Sequence, residues 1–84
     1  MSERGTVVIS SCGRDKGMVM AVVKAEEKAV WLANGKQRPL SRPKRKNIRH
    51  ITFTEQQISG SSMATDRELR RALRNISVAI TEGG

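Results

Sequence analysis

The stretch that decides the fold is residues 6–23, TVVISSCGRDKGMVMAVV. Two apolar runs rich in β-branched side chains, residues 6–9 and 18–23, flank the polar, glycine-containing stretch at residues 12–17. β-Branched side chains favour extended strands, and glycines in a short polar stretch favour a tight connection. The segment therefore predicts two antiparallel strands joined by a short loop.

Three more strands are predicted downstream. Residues 29–33 form another apolar run, and the following Asn34-Gly35 dipeptide favours a type I′ hairpin turn because both residues accept positive φ. A fourth strand is expected over residues 36–40, at a sheet edge because Pro39 has no amide donor, and a last strand over residues 48–53. Short strands without helices between them indicate antiparallel pairing, and a small curled barrel hides its edges.

The C-terminal third changes to a helical period. Thr65 and Glu68 fit a capping box, and one helix face is apolar. That face carries Leu69, Ala72, Leu73, Ile76 and Ile80. The predicted fold class is mainly β: a small SH3-like antiparallel β-barrel at residues 1–56, a linker at 57–64, and one α-helix at 65–82 packed on the barrel within a single domain. The alternative is that the apolar face binds a partner helix or dimerises.

The chain is small and strongly basic. Its 84 residues include 16 Lys and Arg against 8 Asp and Glu, which gives a formal charge of +8. An excess of this size attracts polyanions, whereas scattered charges of both signs serve only solubility. Neither a signal peptide nor a transmembrane run is found, and the single Cys12 cannot close an internal disulfide. These features predict a cytoplasmic protein.

The basic residues are clustered rather than scattered. Residues 34–50 contain no acidic residue and seven basic ones: Lys36, Arg38, Arg42, Lys44, Arg45, Lys46 and Arg49. Like charges gathered in this way repel one another unless a polyanion neutralises them. Only two aromatic side chains occur, Trp31 and Phe53, so stacking on single-stranded bases is disfavoured and readout of the backbone and shape of folded RNA is favoured.

The polar face of the predicted helix carries Arg67, Arg70, Arg71 and Arg74. Two interpretations stay open for it. The arginines form a second RNA surface, or they are exposed helix formers that need no ligand.

Residues 5–17 followed by 18–23 resemble the KOW motif, which is found in ribosomal proteins and transcription elongation factors. The resemblance is greatest to the KOW-containing large-subunit ribosomal proteins of the eukaryotic and archaeal type, whose stand-alone bacterial relatives are KOW-domain RNA-binding proteins. It continues from Asn34-Gly35-Lys36 to the stretch RPKRKNIRHI at residues 42–51 and covers residues 5–53. Met20 stands where many KOW motifs have another glycine, which weakens the analogy to elongation factors.

The resemblance implies an SH3-like barrel whose strand-connecting loop contacts RNA. By position, the contacting loop residues are Gly13, Arg14, Asp15, Lys16 and Gly17. The glycines allow positive φ, and Arg14 and Lys16 supply donors for phosphate. Asp15 is expected to orient one of these two cations or to cap the turn. With the seven basic residues of the second cluster and the neighbouring His50, these positions make up the predicted RNA-binding surface.

The predicted function is non-catalytic binding of structured, ribosomal RNA by a ribosomal or ribosome-associated protein, with ribosomal proteins as further candidate partners. One His and one Cys do not supply a His/Cys metal cluster, and no phosphate-loop fingerprint occurs, so no cofactor, metal, catalytic residue or small-molecule substrate is expected. No membrane partner is expected either. The alternative is a protein-interaction module of the translation or transcription machinery that uses the barrel edge or the apolar helix face.

Overall fold

The computed structural model describes the backbone of residues 4–83 and the side chains of residues 4–76. It contains five strands and one α-helix: β1 Thr6–Ser10, β2 Val19–Ala25, β3 Ala29–Ala33, β4 Lys44–Asn47, β5 Ile51–Gln57 and α1 Asp66–Gly83. Two short 3-10 helices, Ile48–His50 and Gly60–Met63, lie before and after β5. The predicted mainly β architecture with one C-terminal helix is confirmed.

The strands form one antiparallel sheet in the order β4-β3-β2-β1-β5. The first four strands follow one another as a meander, and β5 returns to the free side of β1. Register shifts interrupt β1–β5 pairing between Thr6 and Val8 and β2–β3 pairing between Val22 and Lys24. Such irregularities increase the local twist and bend the strands.

The sheet is strongly curled, because its two edge strands are consecutive in the chain. Only Ile48–His50 separate the end of β4 from the start of β5. In a flat sheet of five strands the edges would lie about 19 Å apart, whereas the four Cα steps from Asn47 to Ile51 span at most about 14 Å. Along the described strands no pairing joins β4 to β5, so the curled sheet is not closed into a barrel.

Both faces of the sheet are buried. On one face, Val7 and Ala21 belong to a cluster with Ile58, Met63, Leu69 and Leu73. On the concave face, another cluster consists of Val8, Met20, Val22, Val30, Leu32 and Ile51. Successive side chains of a strand point to opposite faces, so the continuous apolar run of β1 serves one cluster with Val7 and the other with Val8.

The helix packs on the outer face of the sheet. Leu69 and Leu73 are buried in the cluster around Val7, and Ala72 and Ile76 pack against it. The predicted apolar face is thus packed within the chain from Leu69 to Ile76. Ile80, predicted for the same face, lies outside the described side chains.

Thr65 is the N-cap of the helix, as predicted. The Thr65 Oγ1 accepts a hydrogen bond from the amide of Glu68 at 3.1 Å, which satisfies one of the free N–H groups of the first turn. The preceding residues 57–64 do not form a loose linker. Ile58 and Met63 are buried, and the Ile58 amide donates to the Gly5 carbonyl at 2.9 Å. The sequence analysis did not predict this packing, because Ile58 and Met63 are isolated apolar residues among polar serines.

The prediction of a strand at residues 36–40 is wrong. Asn34 does not have positive φ, so no type I′ turn forms. Its side-chain Oδ1 accepts hydrogen bonds from the amides of Lys36 and Arg38, both at 2.9 Å, and this local bonding folds residues 34–43 into a loop. The edge strand is β4, where Leu32 pairs with Lys44. The predicted strand at residues 48–53 likewise starts late, at Ile51, after a 3-10 turn.

Candidate nucleic-acid interface

Two connecting loops emerge side by side at one end of the sheet. The pairs Ile9–Val19 and Ala21–Ala33 place the end of β1, the start of β2 and the end of β3 together, and β4 begins beside them. We call residues 11–18 loop A and residues 34–43 loop B. The Asn34 Nδ2 donates to the Met18 Sδ at 3.2 Å, which joins the two loops directly.

The helix completes this end of the molecule. Gly35 of loop B, at φ 77°, lies so close to α1 that a Cβ atom would stand 2.4 Å from the Asp66 carbonyl oxygen and 3.0 Å from the Arg70 Cγ. The Leu40 amide donates to the Asp66 Oδ1 at 2.7 Å. Loop B is therefore held between loop A on one side and the first turns of α1 on the other.

Loop A has the backbone that its glycines predict. Gly13 and Gly17 both have φ of 87°, a region that other residues rarely adopt. Backbone hydrogen bonds from Gly17 to Ser10 at 2.8 Å and from Met18 to Asp15 at 2.9 Å close the turn. Arg14 and Lys16 point into solvent, as expected for phosphate donors.

Asp15 has a different role from the predicted one. It is buried, and its Oδ1 accepts hydrogen bonds from the Ser10 Oγ at 2.8 Å and the Lys46 Nζ at 2.5 Å, while its Oδ2 pairs with the Lys44 Nζ at 3.3 Å. It forms no ion pair with Arg14 or Lys16 among the described side chains. Asp15 therefore anchors loop A to β4 and does not orient the exposed cations Arg14 and Lys16.

Lys46 is the other buried member of this cluster. Only 8 % of it is exposed, and its Nζ donates to the Ser10 Oγ at 2.6 Å, the Cys12 carbonyl at 2.8 Å and Asp15. These three acceptors use all three protons of the ammonium group. The charge and the donors of Lys46 are therefore already satisfied inside the protein.

The burial of Asp15 on its own raises the pKa of the carboxyl. The hydrogen bonds from Lys46, Ser10 and Lys44 outweigh that effect and hold the pKa of Asp15 well below its ordinary value. The carboxylate is therefore charged at neutral pH.

The other cations of β4 are also paired. Alternation along the strand directs Lys44 and Lys46 toward Asp15 and Arg45 to the opposite side. The Arg45 Nε lies 3.2 Å from the Glu26 Oε2, and the Trp31 Nε1 donates to the same carboxylate. The Arg45 guanidinium and the Trp31 ring N–H lower the pKa of Glu26. The three consecutive basic residues Lys44, Arg45 and Lys46 are thus all paired with carboxylates.

The remaining predicted cations are exposed and stay without a carboxylate partner. Among the described side chains no ion pair includes the loop residues Arg14, Lys16, Lys36, Arg38 and Arg42. Arg49 and His50 are also exposed, and the His50 carbonyl accepts from the Ser11 amide at 2.9 Å, which places this turn beside loop A. Sequence position alone did not separate these free cations from the paired ones.

The helix arginines meet a residue of loop B. Arg67, Arg70, Arg71 and Arg74 line a cleft of about 330 Å³ together with Lys36. All five side chains are exposed, and none forms an ion pair with any carboxylate whose side chain is described. The sequence analysis placed Lys36 in the basic cluster of residues 34–50. The signal for its true position is the neighbouring Gly35, whose backbone lies against the helix.

A second concavity is apolar and lies toward the other end of the sheet. It has a volume of about 830 Å³ and is lined by Thr6, Ala25, Glu26, Glu27, Ile48, Phe53 and Thr54. Phe53 is 43 % exposed and Ile48 is 37 % exposed, although both are large apolar side chains. The acidic residues Glu26 and Glu27 at its rim distinguish it from the basic end.

In the part of the chain that the structure describes, no three His, Cys, Asp or Glu side chains gather as a metal site, and no helix is long and apolar enough to cross a membrane. Comparison with protein-family models and with curated proteins finds no match to this chain.

Proposed function

We propose that this protein is a non-catalytic RNA-binding protein that grips the phosphate backbone of structured RNA with loops A and B. The observation that carries the proposal is the set of five exposed loop cations, Arg14, Lys16, Lys36, Arg38 and Arg42, on two adjoining loops without any described carboxylate partner. Arg49 and His50 extend the same surface. Cations in this arrangement bind phosphate and release its counterions.

The few aromatic residues favour backbone contacts over base stacking. Trp31, on β3, donates its ring N–H to Glu26, the carboxylate that also pairs with Arg45. Phe53 lies in the apolar groove away from both loops. Without rings near the cations, contacts to phosphate and to the shape of a folded RNA are the available mode of recognition.

We also infer that the curled sheet is of the SH3-like kind and that the chain is a KOW-domain protein. Three features support this inference: the short 3-10 turn between the edge strands, the buried concave face, and a β1–β2 loop framed by two positive-φ glycines. The resemblance in residues 5–53 then favours ribosomal RNA as the ligand, and a cytoplasmic ribosomal or ribosome-associated protein.

A protein-interaction module is the second candidate function. It is favoured by the groove in which Phe53 and Ile48 are exposed, since large apolar side chains grouped at a surface are typical of binding sites. Binding there would persist at high salt and depend on Phe53.

The two candidates are separated by measuring the affinity for a ribosomal RNA hairpin across a salt series. The loop variant Arg14→Gln/Lys16→Gln removes two free cations. The matched control Lys24→Gln/Lys28→Gln removes two exposed charges at the opposite end of the sheet. If all five loop cations contact phosphate, log K falls with log salt with a slope of about −3.5 to −4.5, and the loop variant flattens that slope by about 1.4–1.8.

Wild-type affinity that does not change with salt, or a loop variant that behaves like the control, would overturn the RNA proposal. A DNA hairpin of the same sequence provides the comparison between the two nucleic acids, with tighter binding of RNA expected. Salt-resistant binding of ribosomal proteins that is lost in Phe53→Ser would favour the second candidate.

A further inference from the structure

We infer that the cleft between loop B and α1 is a second phosphate-binding site, which takes a second backbone segment of the same folded RNA. The inference rests on the proposed function, since it concerns how RNA is held once loops A and B have bound it. Its residues are Lys36, Arg67, Arg70, Arg71 and Arg74.

The arginines are aligned by the helix itself. Arg67, Arg70, Arg71 and Arg74 are three and four residues apart, so their side chains are neighbours along one face of α1. Lys36 faces them from loop B, and the surface between is concave rather than flat. A concave group of donors surrounds a phosphate oxygen from more than one side, which an ordinary exposed helix face does not do.

No ion pair with a carboxylate in the described part of the chain compensates the charge of the cleft. Like charges three or four residues apart destabilise a helix, and here they form the pairs 67–70 and 71–74 at three residues and 67–71 and 70–74 at four. Solubility and helix formation are served equally well by alternating Glu and Lys, which would avoid this repulsion. A bound phosphate would relieve it, and the arginine fork matches phosphate oxygens with two parallel hydrogen bonds.

The position of Lys36 is fixed rather than incidental. The neighbouring Gly35 touches the helix backbone, and the Leu40 amide donates to the Asp66 Oδ1 at 2.7 Å. These contacts hold both ends of the loop segment that carries Lys36 against the first turns of α1. The loop wall of the cleft is therefore anchored to the helix that forms the other wall.

The cleft and loop A lie on opposite sides of loop B. Asn34 joins loop B to Met18 of loop A, while Gly35 joins it to α1. A folded RNA presents two backbone segments at once, whereas a short single strand presents one. The arrangement predicts that the cleft adds affinity for a hairpin and adds little for a single strand.

The test compares the cleft variant Arg70→Gln/Arg74→Gln with the control Lys24→Gln/Lys28→Gln, which has the same net charge. Gln keeps the Cγ that lies beside Gly35, and matching thermal unfolding with wild type verifies that the fold is retained. Fluorescence anisotropy measures binding to an RNA hairpin and to a single strand of equal length. We expect the cleft variant to lose about tenfold in hairpin affinity, and less than about threefold for the single strand.

Equal hairpin affinity in the cleft variant and the control would overturn the second site while leaving the proposed function intact. Salt-independent hairpin binding by wild type would instead overturn the proposed function, and this inference with it. A titration with inorganic pyrophosphate, followed through the Nε–H signals of the arginines, provides a readout without RNA. Shifts of Arg70 and Arg74 that saturate at lower concentration than those of Arg14 support a built site. Identical, non-saturating shifts of all three overturn it.

Discussion

Lys46 of β4 and Asp15 of loop A are 31 residues apart in the chain, yet the Lys46 Nζ lies 2.5 Å from the Asp15 Oδ1. In the sheet, β3 and β2 separate the strand of Lys46 from β1, where loop A begins. The contact therefore joins the edge strand β4 to the β1–β2 loop, two segments that no strand pairing connects in the described sheet. The ion pair between Lys46 and Asp15, together with the hydrogen bonds of Ser10, links these two segments in place of backbone pairing.

The first prediction concerns this pair. Lys46→Met leaves the Asp15 carboxylate buried with less compensation, so we expect a loss of about 3–5 kcal/mol in the free energy of unfolding, measured by urea denaturation. The double variant Lys46→Met/Asp15→Leu removes both charges and should be more stable than either single variant. A double variant whose loss equals the sum of the single losses would contradict the account.

The second prediction concerns acid. The pKa of Asp15 is lowered in the folded state, so its contribution to stability is fully present above the ordinary Asp pKa of about 3.9. That contribution is lost as the pH falls below this value toward the folded-state pKa. Urea denaturation from pH 6 to pH 2 should show a steeper loss of stability for wild type than for Lys46→Met/Asp15→Leu. Parallel curves would show that the pair does not titrate as inferred.

The third prediction separates backbone strain from packing. Gly35 and Gly17 both have positive φ, but a Cβ at Gly35 would meet the Asp66 carbonyl oxygen at 2.4 Å, whereas a Cβ at Gly17 meets nothing within 4 Å. Both Ala variants are strained, and Gly35→Ala must also push loop B away from α1. We expect Gly35→Ala to cost about 1–3 kcal/mol more than Gly17→Ala in thermal or urea unfolding. Equal losses would mean that loop B is not held against the helix.

The fourth prediction tests the helix start. Thr65→Ala removes the oxygen that accepts from the Glu68 amide, and we expect a loss of about 0.5–2 kcal/mol. Thr65→Ser keeps that oxygen and serves as the control. A Ser variant as unstable as the Ala variant would indicate that the methyl group matters and the cap does not.

Sequence patterns correctly predicted those elements that are determined by residues close together in the chain. The β-branched runs around loop A, the two positive-φ glycines and the Thr65 cap all depend on residues close in the chain. The Asn34-Gly35 signal failed because the Asn34 side chain bonds to the amides of Lys36 and Arg38, a local competitor that the dipeptide does not reveal. The strand that followed was therefore placed eight residues too early, at residue 36 instead of Lys44.

The sequence predicted the candidate site only as a set of basic residues. A run of basic residues shows how many cations are present but not which of them meet a carboxylate from a distant segment. Lys46 is neutralised by Asp15 and Arg45 by Glu26, while Lys36 of loop B joins four arginines from the helix. Partners far apart in the chain decide which charges stay free, and only the tertiary fold brings them together.

The most direct test of the central claim is a chemical-shift map of the ¹⁵N-labelled protein titrated with a ribosomal RNA hairpin. The account predicts that the amides of loops A and B, above all Arg14, Lys16 and Arg38, shift together and recover as salt is added. The buried Lys46 should move little. Shifts centred on Ile48 and Phe53 with both loops unchanged, or the absence of any shift, would contradict RNA binding by the basic end of the sheet.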